Sequence, residues 1–222
     1  QYTLGEVKFG DLVSPNAQVL VGYNFNPVVG LRLGINAWQS KAGWDRFNPN
    51  TNQIDELRWK WNYVAPNIDA TINLSNLIAG YNPDRLVSVG VFAGIGANIA
   101  WGNDDAWNLT WSNDRWNGTA IVPENQNLSY RWDGTKVRFQ GRVGANIDFQ
   151  VAKNWAVGAE VSANLVGDRY NSKRSDNADW YFNAGIGVKY AFGKVYNKRT
   201  VEIPAPEPKV IERIVEKVVE KE

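Results

Sequence analysis

Apolar and polar residues alternate with a period of two along most of this chain. From Leu86 to Trp101, one face carries Val87, Val89, Val91, Ala93, Ile95, Ala97, Ile99 and Trp101, and the other carries Ser88, Gly90, Gly94, Gly96 and Asn98. From Lys136 to Val151, Val137, Phe139, Val143, Ala145, Ile147, Phe149 and Val151 alternate with Lys136, Arg138, Gln140, Arg142, Asn146, Asp148 and Gln150. Such a repeat matches the pleat of a β-strand with two unlike faces.

Three more stretches follow the rule, around Val29–Asn36, Trp155–Leu165 and Trp180–Phe192, with a weaker run from Ala17 to Phe25. The run from Arg58 to Leu74 changes phase: Trp59, Trp61 and Tyr63 are odd-numbered, whereas Ile68, Ala70, Ile72 and Leu74 are even-numbered. A bulge marked by Pro66 would account for the switch. These runs predict seven antiparallel strands. Closure into an even-numbered barrel calls for an eighth, and Gln1–Leu4 reads as the tail of an incomplete first strand.

The connections alternate in length. Asn26-Pro27, Asn82-Pro83-Asp84 and Lys153-Asn154 read as tight turns, and residues 41–57, 102–134 and 168–179 as long, polar, Trp-rich loops. Short turns on one rim and long loops on the other are the habit of outer-membrane barrels.

Alternation does not say which face meets which medium, so a soluble lipocalin-type barrel with an apolar interior competes. Glycines 90, 94, 96, 144, 158, 185 and 187 share the polar face with long charged residues, which fits a narrow filled interior. Aromatics also gather at strand ends. Trp38, Trp59, Trp101 and Trp180 lie towards the long loops, and Tyr23, Phe25, Trp155, Tyr190 and Phe192 towards the short turns, as two interfacial girdles would require. The apolar face is therefore expected to point outwards, into lipid.

On that reading Arg32, Asp69, Arg138, Arg142, Asp148, Glu160 and Lys189 all face inwards. Four cations and three anions in a low-dielectric lumen must pair, since an uncompensated buried charge costs several kcal/mol. The expectation is an ion-pair network that plugs the barrel. An acid and base pairing of Asp148 with Glu160 would need a substrate cleft, and a plugged lumen has none.

Composition sharpens the picture by exclusion. The 222 residues suit one domain with an appendage. Basic and acidic residues number 24 and 23, which gives no argument for nucleic acid. With no Cys, His or Met, thiolate and imidazole chemistry is excluded. Neither an enzyme nor a cofactor is expected. The lack of Met also suggests that a leader has been removed or that the chain begins late. No stretch approaches the roughly 20 apolar residues of a transmembrane helix, so any crossing is made by strands.

After Phe192 the character changes. Pro204-Ala205-Pro206-Glu207-Pro208 reads as a stiff spacer, followed by four-residue repeats from Val210 to Lys221. Like charges at i, i+4, such as Glu212/Glu216, weaken a helix there. The expected division is a barrel over residues 1–193 and an extended or weakly helical arm over 194–222.

The last strand holds Gly187, Tyr190 and Phe192, a glycine followed three and five residues later by aromatics, which resembles the terminal signal read by the barrel-assembly machinery. With Phe9-Gly10-Asp11, Pro15 and Gly30-Leu31-Arg32-Leu33, the chain resembles the OmpA family. That resemblance implies an all-β, eight-stranded transmembrane barrel in the outer membrane, with the arm in the periplasm. It also implies a structural role, tethering the membrane to peptidoglycan through a domain beyond Glu222, and partners in outer-membrane lipid, the barrel-assembly machinery and a neighbouring outer-membrane protein. The competing functions are a small-solute channel and a ligand or adhesion barrel acting through Trp107, Trp111, Trp116 and Trp132, whose alternative role is loop packing.

Overall fold

A computed structural model describes residues 7–48, 52–108, 130–173 and 176–192. Seven strands form one antiparallel meander in sequence order. They are β1 (Asn16–Asn24), β2 (Val29–Asn48), β3 (Gln53–Asn73), β4 (Val87–Trp101), β5 (Lys136–Ala152), β6 (Trp155–Val166) and β7 (Asp179–Tyr190). All seven runs of alternating polarity fold as strands. Among the described residues no ladder joins β1 to β7. The sheet nevertheless curls into a barrel-like half-cylinder. Gln18 on β1 reaches Glu160 on β6 at 2.9 Å, and Asn183 on β7 reaches Asn36 on β2 at 3.1 Å.

The outer surface carries the apolar residues. Val19, Leu33, Ile95, Val143 and Val161 are all more than half exposed, and Phe139 is 71 % exposed. The inner surface carries Arg32, Asn67, Asp69, Gln140, Arg142 and Asn164, all buried. This is the inverse of a soluble barrel, in which water outside drives apolar residues inwards.

The structure corrects the reading of β3. The ladder with β2 runs without a register shift from Val29↔Ile72 through Ile35↔Pro66 to Asn48↔Gln53, so there is no bulge at Pro66. Odd-numbered residues face inwards throughout, and what changes is their chemistry. Below Pro66 the inner face has Asp69 and Asn67, and above it Ala65, Tyr63, Trp61, Trp59 and Leu57, all buried. The outer face goes the other way, from Ile72 and Ile68 to Asn62, Lys60 and Arg58. The same inversion occurs at this level from Asn98 to Ala100 on β4 and from Asn164 to Val166 on β6.

Two connections also differ from expectation. Residues 41–57 are not a long loop, because β2 and β3 continue as a two-stranded ribbon to Asn48 and Gln53. Their inner face, Ala42, Leu57 and Trp59, finds cover from Trp132 and Tyr170 of the neighbouring loops, which keeps the strands paired. The turn at Asn82-Pro83-Asp84 belongs to a longer connection that opens with a short helix, α1 (Leu74–Ala79), capped by the Asn73 side chain on Asn76 N–H at 2.9 Å. The other two short turns are tight. Asn26 Oδ1 accepts from Val28 and Val29 N–H at 2.8 Å, and Lys153-Asn154 joins β5 to β6.

Candidate functional site

Among the described residues, buried polar side chains concentrate in the interior, which is built in three storeys. At its centre Arg32 bridges two carboxylates. Its Nε and one terminal nitrogen donate to Asp69 Oδ2 at 3.1 and 2.8 Å, and the other donates to Glu160 Oε2 at 2.7 Å. Arg142 donates to Glu160 Oε1 at 3.2 Å and lies 3.6 Å from Asp69 Oδ1. Two cations and two anions therefore neutralise one another, with Asp69 fully buried. The guanidinium carbons of Arg32 and Arg142 stand 4.2 and 5.0 Å from the centroid of the Phe92 ring, adding cation–π attraction in a desolvated setting.

The register makes this cluster possible. Arg32 pairs with Asp69, Asp69 with Gly94 and Gly94 with Arg142, so a glycine separates the carboxylate from the second arginine. A Cβ at Gly94 would collide with the Asp69 carboxylate, and one at Gly144 with the Phe92 ring. These two glycines are the space that the large side chains occupy.

Above the ions lies a layer of amides: Asn36, Asn98, Gln140, Asn164 and Asn183. Tyrosine hydroxyls reach into it from the storey above. Tyr63 donates to Asn36 Oδ1 at 2.6 Å, Tyr181 donates to Gln140 Oε1 at 2.7 Å, and the Tyr170 and Ser40 hydroxyls lie 2.8 Å apart. Burial pushes the Tyr170 hydroxyl above its usual value, so it stays protonated and able to donate. The rings form the third storey. Trp61 packs edge-on against Tyr170 at 5.1 Å and Trp132 at 6.3 Å, and Tyr170 stacks on Tyr181 at 5.3 Å. Each tyrosine keeps its ring in the apolar layer and its hydroxyl in the polar one.

The seven charges expected in one network thus divide into three groups. Arg32, Asp69, Arg142 and Glu160 form the central cluster. Asp148 pairs with Lys189 at 2.7 Å near the short-turn rim, and Asn146 donates to the same carboxylate oxygen at 2.7 Å. Among the described residues Arg138 joins no carboxylate. It lies 4.7 Å from the Trp132 ring and donates to the Arg169 carbonyl at 3.1 Å, at the long-loop end.

Gly187 pairs with Gly158 near the end of β7, with Tyr190 facing outwards 4.8 Å from both Trp155 and Phe192. Of the long-loop girdle, Trp38, Trp101 and Trp180 are exposed, whereas Trp59 is 2 % exposed inside the aromatic storey. Trp132 is also corrected as a contact candidate. It is 4 % exposed, and its Nε1–H donates to the Tyr170 carbonyl at 3.2 Å, so it packs the loops. Trp107 remains partly exposed beside Arg131, and Trp111 and Trp116 lie outside the described residues, as does the arm over 194–222.

Sequence reasoning missed the amide layer, the tyrosines and Phe92. Phe92 had a signal, since it is the one large apolar residue among the even-numbered, polar positions of β4. The amides and tyrosines carry no sign of which storey they belong to, because only the curled sheet stacks them.

No protein-family model, curated protein or solved structure matches the chain. Its class is set by architecture alone: an all-β, barrel-like sheet of seven antiparallel strands with a polar interior.

Proposed function

We propose that this chain is an outer-membrane barrel of the OmpA kind, an eight-stranded anchor for the periplasmic arm of residues 194–222. Its role is structural: to hold that arm where it tethers the outer membrane to peptidoglycan, alone or beside a neighbouring outer-membrane protein. The observation that carries the reading is the band of exposed apolar side chains wrapped around a buried, charge-paired interior. An apolar surface continuous over all seven strands is far larger than a water-soluble monomer tolerates, and hydrocarbon is the medium that suits it. The Gly187, Tyr190 and Phe192 pattern supports delivery by the barrel-assembly machinery.

A conducting channel is the weaker reading. Ions, amides and rings fill the lumen in succession, and opening it would separate Arg32 from both carboxylates. Refolding tests the proposal. In detergent micelles or phospholipid vesicles the chain should acquire cooperative β-structure, resist trypsin over the strands, and show no steady conductance in planar bilayers. A monomer that folds in plain buffer would overturn the membrane assignment. Co-sedimentation of the complete gene product with peptidoglycan, lost when the sequence after Phe192 is removed, is the result the tether requires.

A further inference from the structure

We infer that Lys41 and Lys60 form a site for the phosphate of an anionic lipid headgroup on the long-loop side of the barrel, an inference that rests on the membrane reading above. The two lysines are direct cross-strand partners on β2 and β3. Lys60 is exposed between the buried Trp59 and Trp61, so it points outwards, and Lys41, directly opposite, shares that face. Like charges placed opposite one another in an antiparallel pair repel and weaken the ladder. Among the described residues no carboxylate lies within ion-pair distance of either ammonium group.

The next outward pair along the ribbon makes the contrast. Arg58 has Asp11 at 3.0 Å, Asp45 in direct hydrogen-bond contact and Glu56 at 3.9 Å. Carboxylates are therefore available on this ribbon and gather on Arg58, leaving the lysine pair positive.

Its height on the barrel supplies the ligand class. The flanking strands stop just below: β1 ends at Asn16, opposite Trp38, and β4 ends at Trp101, opposite Asn62. Trp101, opposite the outward Asn62, and Trp180, on the outward face of β7, are both exposed and close the apolar band. The lysines stand two to three residues beyond, about 7–10 Å at the rise of a strand. Indole rings at the edge of the hydrocarbon with ammonium groups one headgroup further out match the layering of a phospholipid or lipid A molecule. Two ammonium groups on adjacent strands present several N–H donors to one phosphate, and the ligand would also relieve their repulsion.

The test uses the full chain refolded in zwitterionic vesicles doped with phosphatidylglycerol or with lipid A. Wild type should enrich the anionic lipid around itself, and Lys41→Gln and Lys60→Gln should each lower the apparent affinity about fivefold, the effect of one basic residue at an anionic surface. The double variant should lose roughly twenty-fold or more, whereas Lys153→Gln, at the opposite rim, should change nothing. Both lysines lie on the surface, and circular dichroism of each variant confirms folding before binding is read. Equal enrichment by wild type and the double variant would overturn the site. Displacement of lipid by an equal concentration of inorganic phosphate would overturn the headgroup assignment. A chain that inserts into vesicles and shows no anionic preference defeats this inference alone, whereas a chain that folds without any amphiphile defeats the membrane reading itself.

Discussion

The two halves of the half-cylinder follow opposite rules. Below the level of Pro66, charged and amide side chains are inside and aliphatic ones outside. Above it, Trp59, Trp61 and Tyr63 are inside, and Arg58, Lys60 and Asn62 are outside. One strand, β3, passes through both halves in unbroken register, so geometry is not the difference. On the proposed membrane reading, the pattern of a strand reports the medium on its outer side. In the upper half that medium suits water, and the sheet builds an ordinary apolar core. In the lower half the proposed medium is hydrocarbon, where apolar residues gain nothing by going inside and the polar ones pair in the interior.

The comparison breaks most severely if the central cluster is disturbed. Arg32→Leu leaves Asp69 and Glu160 with Arg142 alone and should destabilise by about 3–5 kcal/mol, measured by denaturant unfolding in micelles. A loss under about 1 kcal/mol would mean that the cluster is hydrated and the lumen is not sealed. Next comes Val143→Arg on the outer face of the lower half. Facing lipid it should cost about 2–4 kcal/mol, and facing water only about 0.5 kcal/mol or less, so this variant decides what surrounds the lower half. Tyr63→Phe removes the hydroxyl that links the aromatic storey to Asn36 and should cost about 1–2 kcal/mol. The smallest effect belongs to the outer face of the upper half. Glu56→Ala, an exposed residue 3.9 Å from Arg58, should shift stability by less than about 0.5 kcal/mol. A large loss there would contradict a water-facing upper half.

Much of this was legible in advance where both faces of a strand keep one chemistry along their length. On β5, Arg142 and Gln140 go in and Val143 and Phe139 go out, as alternation requires. The reading failed where the chemistry of the faces exchanged. On β3 the exchange looked like a change of phase, because a pattern of apolar residues cannot distinguish a slipped register from a new solvent. Trp59 accordingly reads as part of a girdle, although it lies inside. The loop reading of 41–57 failed for the same cause: outward Lys41 and Asp45 made a water-facing ribbon resemble a polar loop.

The sequence by itself determined the seven strands, their antiparallel order with short and longer connections, and the inward direction of Arg32, Asp69, Arg142 and Glu160, because the two-residue pleat ties side-chain direction to residue number. Only the tertiary structure decided the rest. Residues far apart in the chain, such as Asn36 and Asn183 or Gln18 and Glu160, meet because the sheet curls. That curvature sorts the interior into ions, amides and rings, and gives Arg138, Asp148 and Lys189 separate partners, since height along the axis is fixed by strand stagger and not by residue type.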